Sequence, residues 1–109
     1  MTPTSLQIKV KALQRLIKEE TYYKQELKEQ TEHVEKLKND SEVDPYDLKK
    51  QIEVQQDTER LLPSLYKKIE QFKENLNEYM ESYEGTEDLT EAKEIVIKAN
   101  ELLSTKISA

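Results

Sequence analysis

Apolar residues recur along this chain at spacings of three and four, and three stretches carry such a stripe. In the first, Leu6, Leu13, Leu27 and Val34 share one position of a seven-residue repeat, with Glu20 as the polar member of the same series. Leu16, Tyr23 and Leu37 hold a second position three residues later, and Val10 and Ile17 widen the stripe. An a/d seam with one flanking row is the face of a bundle helix. The pattern predicts a helix over about residues 4–38. Thr4 or Ser5 stands where an N-cap accepts a bond from the first-turn N–H groups.

The stripe stops at Asn39-Asp40-Ser41-Glu42-Val43-Asp44, and Asp44-Pro45 restarts it. Asp caps free N–H groups, and Pro at the first helical position gives up a bond it would not have made. The second helix is predicted over about 45–84, with the stripe Leu48, Ile52, Leu62, Leu65, Tyr66, Ile69, Phe72, Leu76, Tyr79, Met80 and Tyr83. Gln55 and Glu59 weaken it between Ile52 and Leu62. Pro63 lies inside this helix and removes the N–H that would bond the Glu59 carbonyl. No turn residues surround it, so a kink is expected rather than a break. Two helices meeting at Pro63 are the alternative.

Gly85, after the last apolar position, suits the left-handed residue that ends a helix. Asp88 and Glu91 are spaced as a capping box for a third helix over about 88–105, whose stripe is Ala92, Ile95, Val96, Ala99, Leu102 and Leu103. The fold class is therefore all-α: an antiparallel, coiled-coil-like three-helix bundle in one domain, residues 1–109. The first two helices would span roughly 50 to 60 Å and the third only about 27 Å. The stripes are dense from Leu6 to Tyr23 and from Leu62 to Tyr83, and thin from Lys24 to Lys38 and from Leu48 to Arg60. A three-helix core at one end and a slimmer two-helix arm are expected.

Composition narrows the function. One glycine and three prolines in 109 residues cannot supply the turns of a β-sandwich, nor a phosphate-binding glycine loop. Without cysteine there is no disulfide, thiolate or Cys-ligated zinc chemistry. The net charge of -6 argues against nucleic acid, and no apolar run approaches the 18 or so residues of a membrane span. His33, the only histidine, has Lys36 and Leu37 at the positions where a metal site would place further ligands. Serines lack a base, and the carboxylate pairs lie on polar helix faces with no pocket to separate their pKa values. No enzyme, cofactor, metal or small-molecule substrate is expected.

Two surface features remain. Residues 1–18 hold Lys9, Lys11, Arg15 and Lys18 and no acid, whereas residues 70–94 hold nine acids against Lys73 and Lys93. Both segments fall at the same end of the bundle. They either complement each other or leave the basic turns free for an acidic partner. Ile8, Tyr22, Tyr46, Val54, Leu61 and Ile97 lie off the stripes, and Leu61 beside Pro63 would expose an apolar side chain next to disturbed backbone.

These residues resemble those of tubulin-binding cofactor A, especially its fungal members. The resemblance rests on Ile8-Lys9-Val10-Lys11-Ala12-Leu13, Arg15-Leu16, Lys18-Glu19-Glu20, Tyr22-Tyr23, Gln25-Glu26-Leu27-Lys28, His33-Val34 and Lys36-Leu37-Lys38. More specific are Val43-Asp44-Pro45-Tyr46-Asp47-Leu48-Lys49-Lys50-Gln51 and then Asp57-Thr58, Arg60-Leu61-Leu62-Pro63 and Leu65-Tyr66, followed by Tyr83 and Gly85-Thr86-Glu87-Asp88. The segment after Asp88 departs most from the fungal pattern.

The resemblance implies a cytoplasmic, cytoskeleton-associated chaperone that binds β-tubulin. Such a protein holds β-tubulin after the chaperonin and before it joins α-tubulin, uses no nucleotide and, in fungal members, forms homodimers. Lys11, Arg15, Tyr22, Tyr46, Lys49, Lys50, Arg60, Leu61 and Pro63 are the candidate partner-binding residues. The alternatives are structural or interaction bundles. A spectrin-like repeat would need a longer third helix and its usual tryptophan, and a prefoldin-like subunit would need β-hairpins between its long helices.

Overall fold

The computed structural model describes residues 3–105 and contains three helices: α1 (Ser5–Lys38), α2 (Pro45–Glu81) and α3 (Thr90–Ser104). Among the described residues there is no strand, so residues 39–44 hold a turn and not a prefoldin-type hairpin. The molecule measures 65 × 31 × 17 Å, with a radius of gyration of 18.9 Å. A compact chain of this length would have about 13 Å, so this one is a rod.

Local chemistry sets each helix boundary. At α1 the cap is Thr4. Its hydroxyl accepts the Gln7 N–H at 3.2 Å, and the Gln7 side-chain oxygen accepts the Thr4 N–H at 3.0 Å, a reciprocal box. Lys36 and Lys38 lie in the last turn, at the negative end of the helix dipole. Asp44 caps α2 by accepting the Tyr46 N–H at 2.9 Å, with Pro45 at the first helical position. The helix continues through Pro63, which excludes two helices meeting there.

The α2–α3 connection departs from the sequence expectation. The α2 helix closes at Ser82, three residues before Gly85, and no glycine among the described residues has positive φ. Gly85 serves a different need. A Cβ there would overlap the Tyr83 hydroxyl, because the Tyr83 ring folds over the loop. That hydroxyl accepts the Glu87 N–H at 3.1 Å, and the ring lies 5.7 Å from Tyr79. Partial burial, together with the Glu87 side chain, holds the Tyr83 hydroxyl above its ordinary pKa, although the Glu87 N–H pulls the other way.

The expected box between Asp88 and Glu91 is also absent, and α3 starts later, at Thr90. Asp88 instead accepts both the N–H and the hydroxyl of Thr90, at 2.9 and 2.6 Å, in an Asx turn. Those two bonds, and the Lys93 charge beyond them, hold its carboxyl below the usual aspartate value. Glu91 turns away and accepts from Gln14 of α1 at 3.0 Å.

The core sits at one end. Leu6, Val10, Leu13 and Leu16 of α1 meet Leu62, Leu65, Tyr66, Ile69 and Leu76 of α2 and Ala92, Ile95, Val96 and Ala99 of α3. Leu13, Ile69 and Leu76 are fully enclosed. Phe72, which the stripe assigns to the core, is 39% exposed. Leu65, Phe72 and Tyr79 are seven apart, and of the three only Phe72 is left at the edge of the interface, while Leu65 is buried and Tyr79 packs half-buried against the core.

Glu20, the polar member of the α1 seam, is only 4% exposed and marks the limit of the core. The Tyr66 hydroxyl donates to its Oε2 at 2.8 Å, and the Lys24 ammonium stands 3.9 Å from the same oxygen. Beyond this pair α1 and α2 touch without α3, and their seam turns polar. Gln55 donates to Thr31 across it at 3.0 Å, Thr58 is buried, and the Gln30 Oε1 is buried without a hydrogen-bond partner. Val34 is the one buried apolar residue in this arm among those described, and it lies outside the main core cluster.

Three outcomes follow. Gly85→Ala should destabilise the protein by about 1 kcal/mol, because the added methyl displaces the Tyr83 hydroxyl from Glu87. In a Tyr83→Ala background the same change should be neutral or stabilising by about 0.5 kcal/mol, through the stiffer unfolded chain. Urea melts of the four proteins give both numbers. Tyr66→Phe should cost about 1–3 kcal/mol by removing a donor from buried Glu20, and Glu20→Leu added to it should recover part of the loss. Asp88 has a depressed folded-state pKa, so its stabilising contribution is present above the ordinary aspartate pKa and lost as pH falls through the folded value. The melting-temperature gap between the wild type and Asp88→Asn should therefore close on acidification from pH 6 to 3.

Candidate functional site

Among the described residues no three His, Cys, Asp or Glu side chains gather as a metal cluster, and His33 is exposed. No helix among them is long and apolar enough to cross a membrane. The depressions are shallow grooves on the rod. One, lined by Gln56, Glu59, Arg60 and Pro63, lies beside the helical proline, where the Glu59 carbonyl cannot receive a bond from residue 63.

The exposed apolar side chains are more informative, because helical spacing lines them up. On α2, Tyr46, Lys50, Val54, Asp57, Leu61, Lys68 and Phe72 fall on one row away from the core. Tyr46 is 64% exposed, Val54 44%, Leu61 49% and Phe72 39%. From Tyr46 to Phe72 the row runs about 39 Å at 1.5 Å per residue. The Lys50 ammonium sits 5.4 Å from the centre of the Tyr46 ring, a cation–π contact that orders the start of the row. Asp57 pairs with Arg60 at 3.3 Å, and Arg60 shares the adjacent row with Lys49. Pro63 lies further round the helix.

On α1, Ile8, Lys11, Arg15, Lys18 and Tyr22 fall on a second row, also exposed. Lys11 shares a cleft with Glu87, Asp88 and Glu91 of the α2–α3 region, so the basic start of α1 does face the acidic segment. The direct links there are hydrogen bonds, Thr4 to Glu87 at 2.8 Å and Gln14 to Glu91 at 3.0 Å. The ion pairs among the described residues join Lys24 to Glu20, Lys38 to Glu35 and Arg60 to Asp57, each within one helix. Lys9 lies over the Tyr79 ring at 5.4 Å.

All nine candidate partner-binding residues are exposed, but they form two groups. Tyr46, Lys49, Lys50, Arg60 and Leu61 share one side of α2, with Pro63 on its flank. Lys11, Arg15 and Tyr22 share the α1 row. The apolar α2 row also contains Val54 and Phe72. Val54 was legible as off-stripe, whereas Phe72 fits the stripe by count and no spacing signal marks it as exposed.

Known proteins are similar to this chain in sequence and in backbone. The family model for tubulin binding cofactor A matches residues 1–96, ending inside α3. The tubulin-specific chaperone A of Saccharomyces cerevisiae is 60% identical over 97% of this chain and 100% of its own length. The Dictyostelium discoideum protein of the same name is 36% identical over 83% of this chain and 80% of its own, and the human one 33% identical over 84% and 86%. A solved β-tubulin binding post-chaperonin cofactor superposes with a TM-score of 0.88 at 60% identity, covering 94% of this chain and 100% of its own. With a family model spanning most of its length and relatives matching all three helices, the chain belongs to the tubulin binding cofactor A family.

Proposed function

We propose that the chain is a tubulin-folding chaperone of the cytoplasm that binds free β-tubulin and stabilises it before it assembles with its α partner. The observation that carries this reading is the likeness, in sequence and backbone together, to a solved cofactor described as binding β-tubulin. The physical form agrees with it. The protein acts by covering surface and needs no reacting group, so a stiff rod with aligned exposed side chains is sufficient.

The α2 row carries the contact. Helical backbone is already ordered, so docking on it loses little conformational entropy. Tyr46 supplies a large amphipathic ring held by Lys50, and Leu61 and Phe72 supply apolar area further along. Lys49 and Arg60 lie beside the row and answer local acidic groups on the client. Aromatic and arginine side chains of this kind carry a disproportionate share of interface energy. A homodimer, which the fungal resemblance implies, would draw on the same exposed rows, so a second copy and the client would compete.

The double substitution Tyr46→Ala, Leu61→Ala should weaken binding to purified β-tubulin about tenfold or more while helical circular dichroism stays unchanged. Unaltered affinity in a folded double variant would remove the α2 row from the site.

A further inference from the structure

We infer that the row Ile8, Lys11, Arg15, Lys18 and Tyr22 on α1 is a second docking ridge, shaped for an acidic peptide segment of the client protein. The inference rests on the chaperone reading for the identity of the client, and on the ridge itself for the chemistry. The five residues follow spacings of three, four, three and four, so they form a line along the helix about 21 Å long. Its ends are apolar and open, Ile8 at 56% and Tyr22 at 63% exposure, and its middle is three consecutive cations.

Those cations are unspent. Among the described residues Lys11, Arg15 and Lys18 make no ion pair, although the chain has 23 acidic side chains. Lys11 shares its cleft with Glu87, Asp88 and Glu91 but stays beyond 4.0 Å of them, and those acids spend hydrogen bonds on Thr4, Gln14 and Thr90. On a molecule of net charge -6, a positive line attracts an acidic group where the rest of the surface tends to repel it.

Geometry favours a peptide. An extended chain advances about 3.3 Å per residue, so six or seven residues span the ridge, and every second carboxylate faces it at a repeat close to the 5–6 Å between neighbouring ridge residues. Arg15, at the centre, presents a planar fork that takes a carboxylate by two parallel bonds. A second copy would also offer a negative row, Glu70, Glu74, Glu78 and Glu81 on α2. That partner would bring its whole charge of -6 with it, whereas a flexible segment approaches without the body behind it.

The test titrates a fluorescein-labelled peptide of seven glutamates, and separately purified β-tubulin, against three forms of the full chain. These are the wild type, a ridge variant (Lys11→Glu, Arg15→Glu, Lys18→Glu) and a control of equal net charge (Lys36→Glu, Lys93→Glu, Lys98→Glu). Circular dichroism confirms that each form is folded. The ridge variant should bind the peptide and β-tubulin at least about fivefold more weakly than the control, and the gap should shrink by 0.5 M salt, where screening is nearly complete. Equal losses in the two variants would reduce the effect to net charge and overturn the ridge. So would unchanged peptide binding accompanied by weaker self-association in sedimentation equilibrium, which would assign the row to a second copy. If wild-type protein fails to bind β-tubulin at all, the chaperone reading falls, while the peptide titration still decides the ridge.

Discussion

The length of α3 is the constraint on which the rest of this structure depends. Two helices of 34 and 37 residues pack against one of 15. Each long helix carries a single apolar stripe, and α3 closes the groove beside those stripes along only part of their length. Leucine, isoleucine and valine therefore concentrate in the half that α3 reaches. The half it does not reach is held by Gln55 and Thr31, a buried Thr58 and one enclosed valine. The Glu20–Tyr66 bond sits at the junction. A carboxylate at a seam position is tolerable there because a hydroxyl and an ammonium meet it. As a polar pair with one partner on each helix, it also penalises any slip of α1 against α2.

A rod built this way has much surface and little interior, and its function follows from that proportion. Outward faces run uninterrupted for tens of ångströms, so side chains three and four residues apart become continuous rows. One such row on α2 is apolar with cations beside it, and one on α1 is cationic with apolar ends. Each presents a long, ordered line of side chains of the kind another protein can dock along.

Much of this was legible in the sequence, because helix periodicity and capping chemistry are local. The stripe of α1, the Asp44-Pro45 start of α2 and the outward position of Tyr22, Tyr46, Leu61 and Ile97 all follow from spacing alone. What was not legible depended on contacts between elements. Gly85 reads as a helix-ending glycine, yet its role comes from a tyrosine ring two residues earlier that folds back to bond Glu87. Asp88 and Glu91 have the spacing of a capping box, but Gln14 of a different helix claims Glu91 and Thr90 claims Asp88. Phe72 fits its stripe by count, yet it is left exposed while Leu65 and Tyr79, seven residues to either side, pack into or against the core. Glu20 looks like a flaw in the seam until its partner, 46 residues away, is known.

Hydrogen–deuterium exchange across the free protein tests most directly whether α3 divides the rod into a tight core and a loose arm. Local opening free energy tracks buried apolar contact, so amides in residues 6–20 and 62–80 should exchange at least about tenfold more slowly than those in residues 24–60. Uniform protection along α1 and α2 would contradict the division and would mean that the polar arm is as stable as the three-helix core.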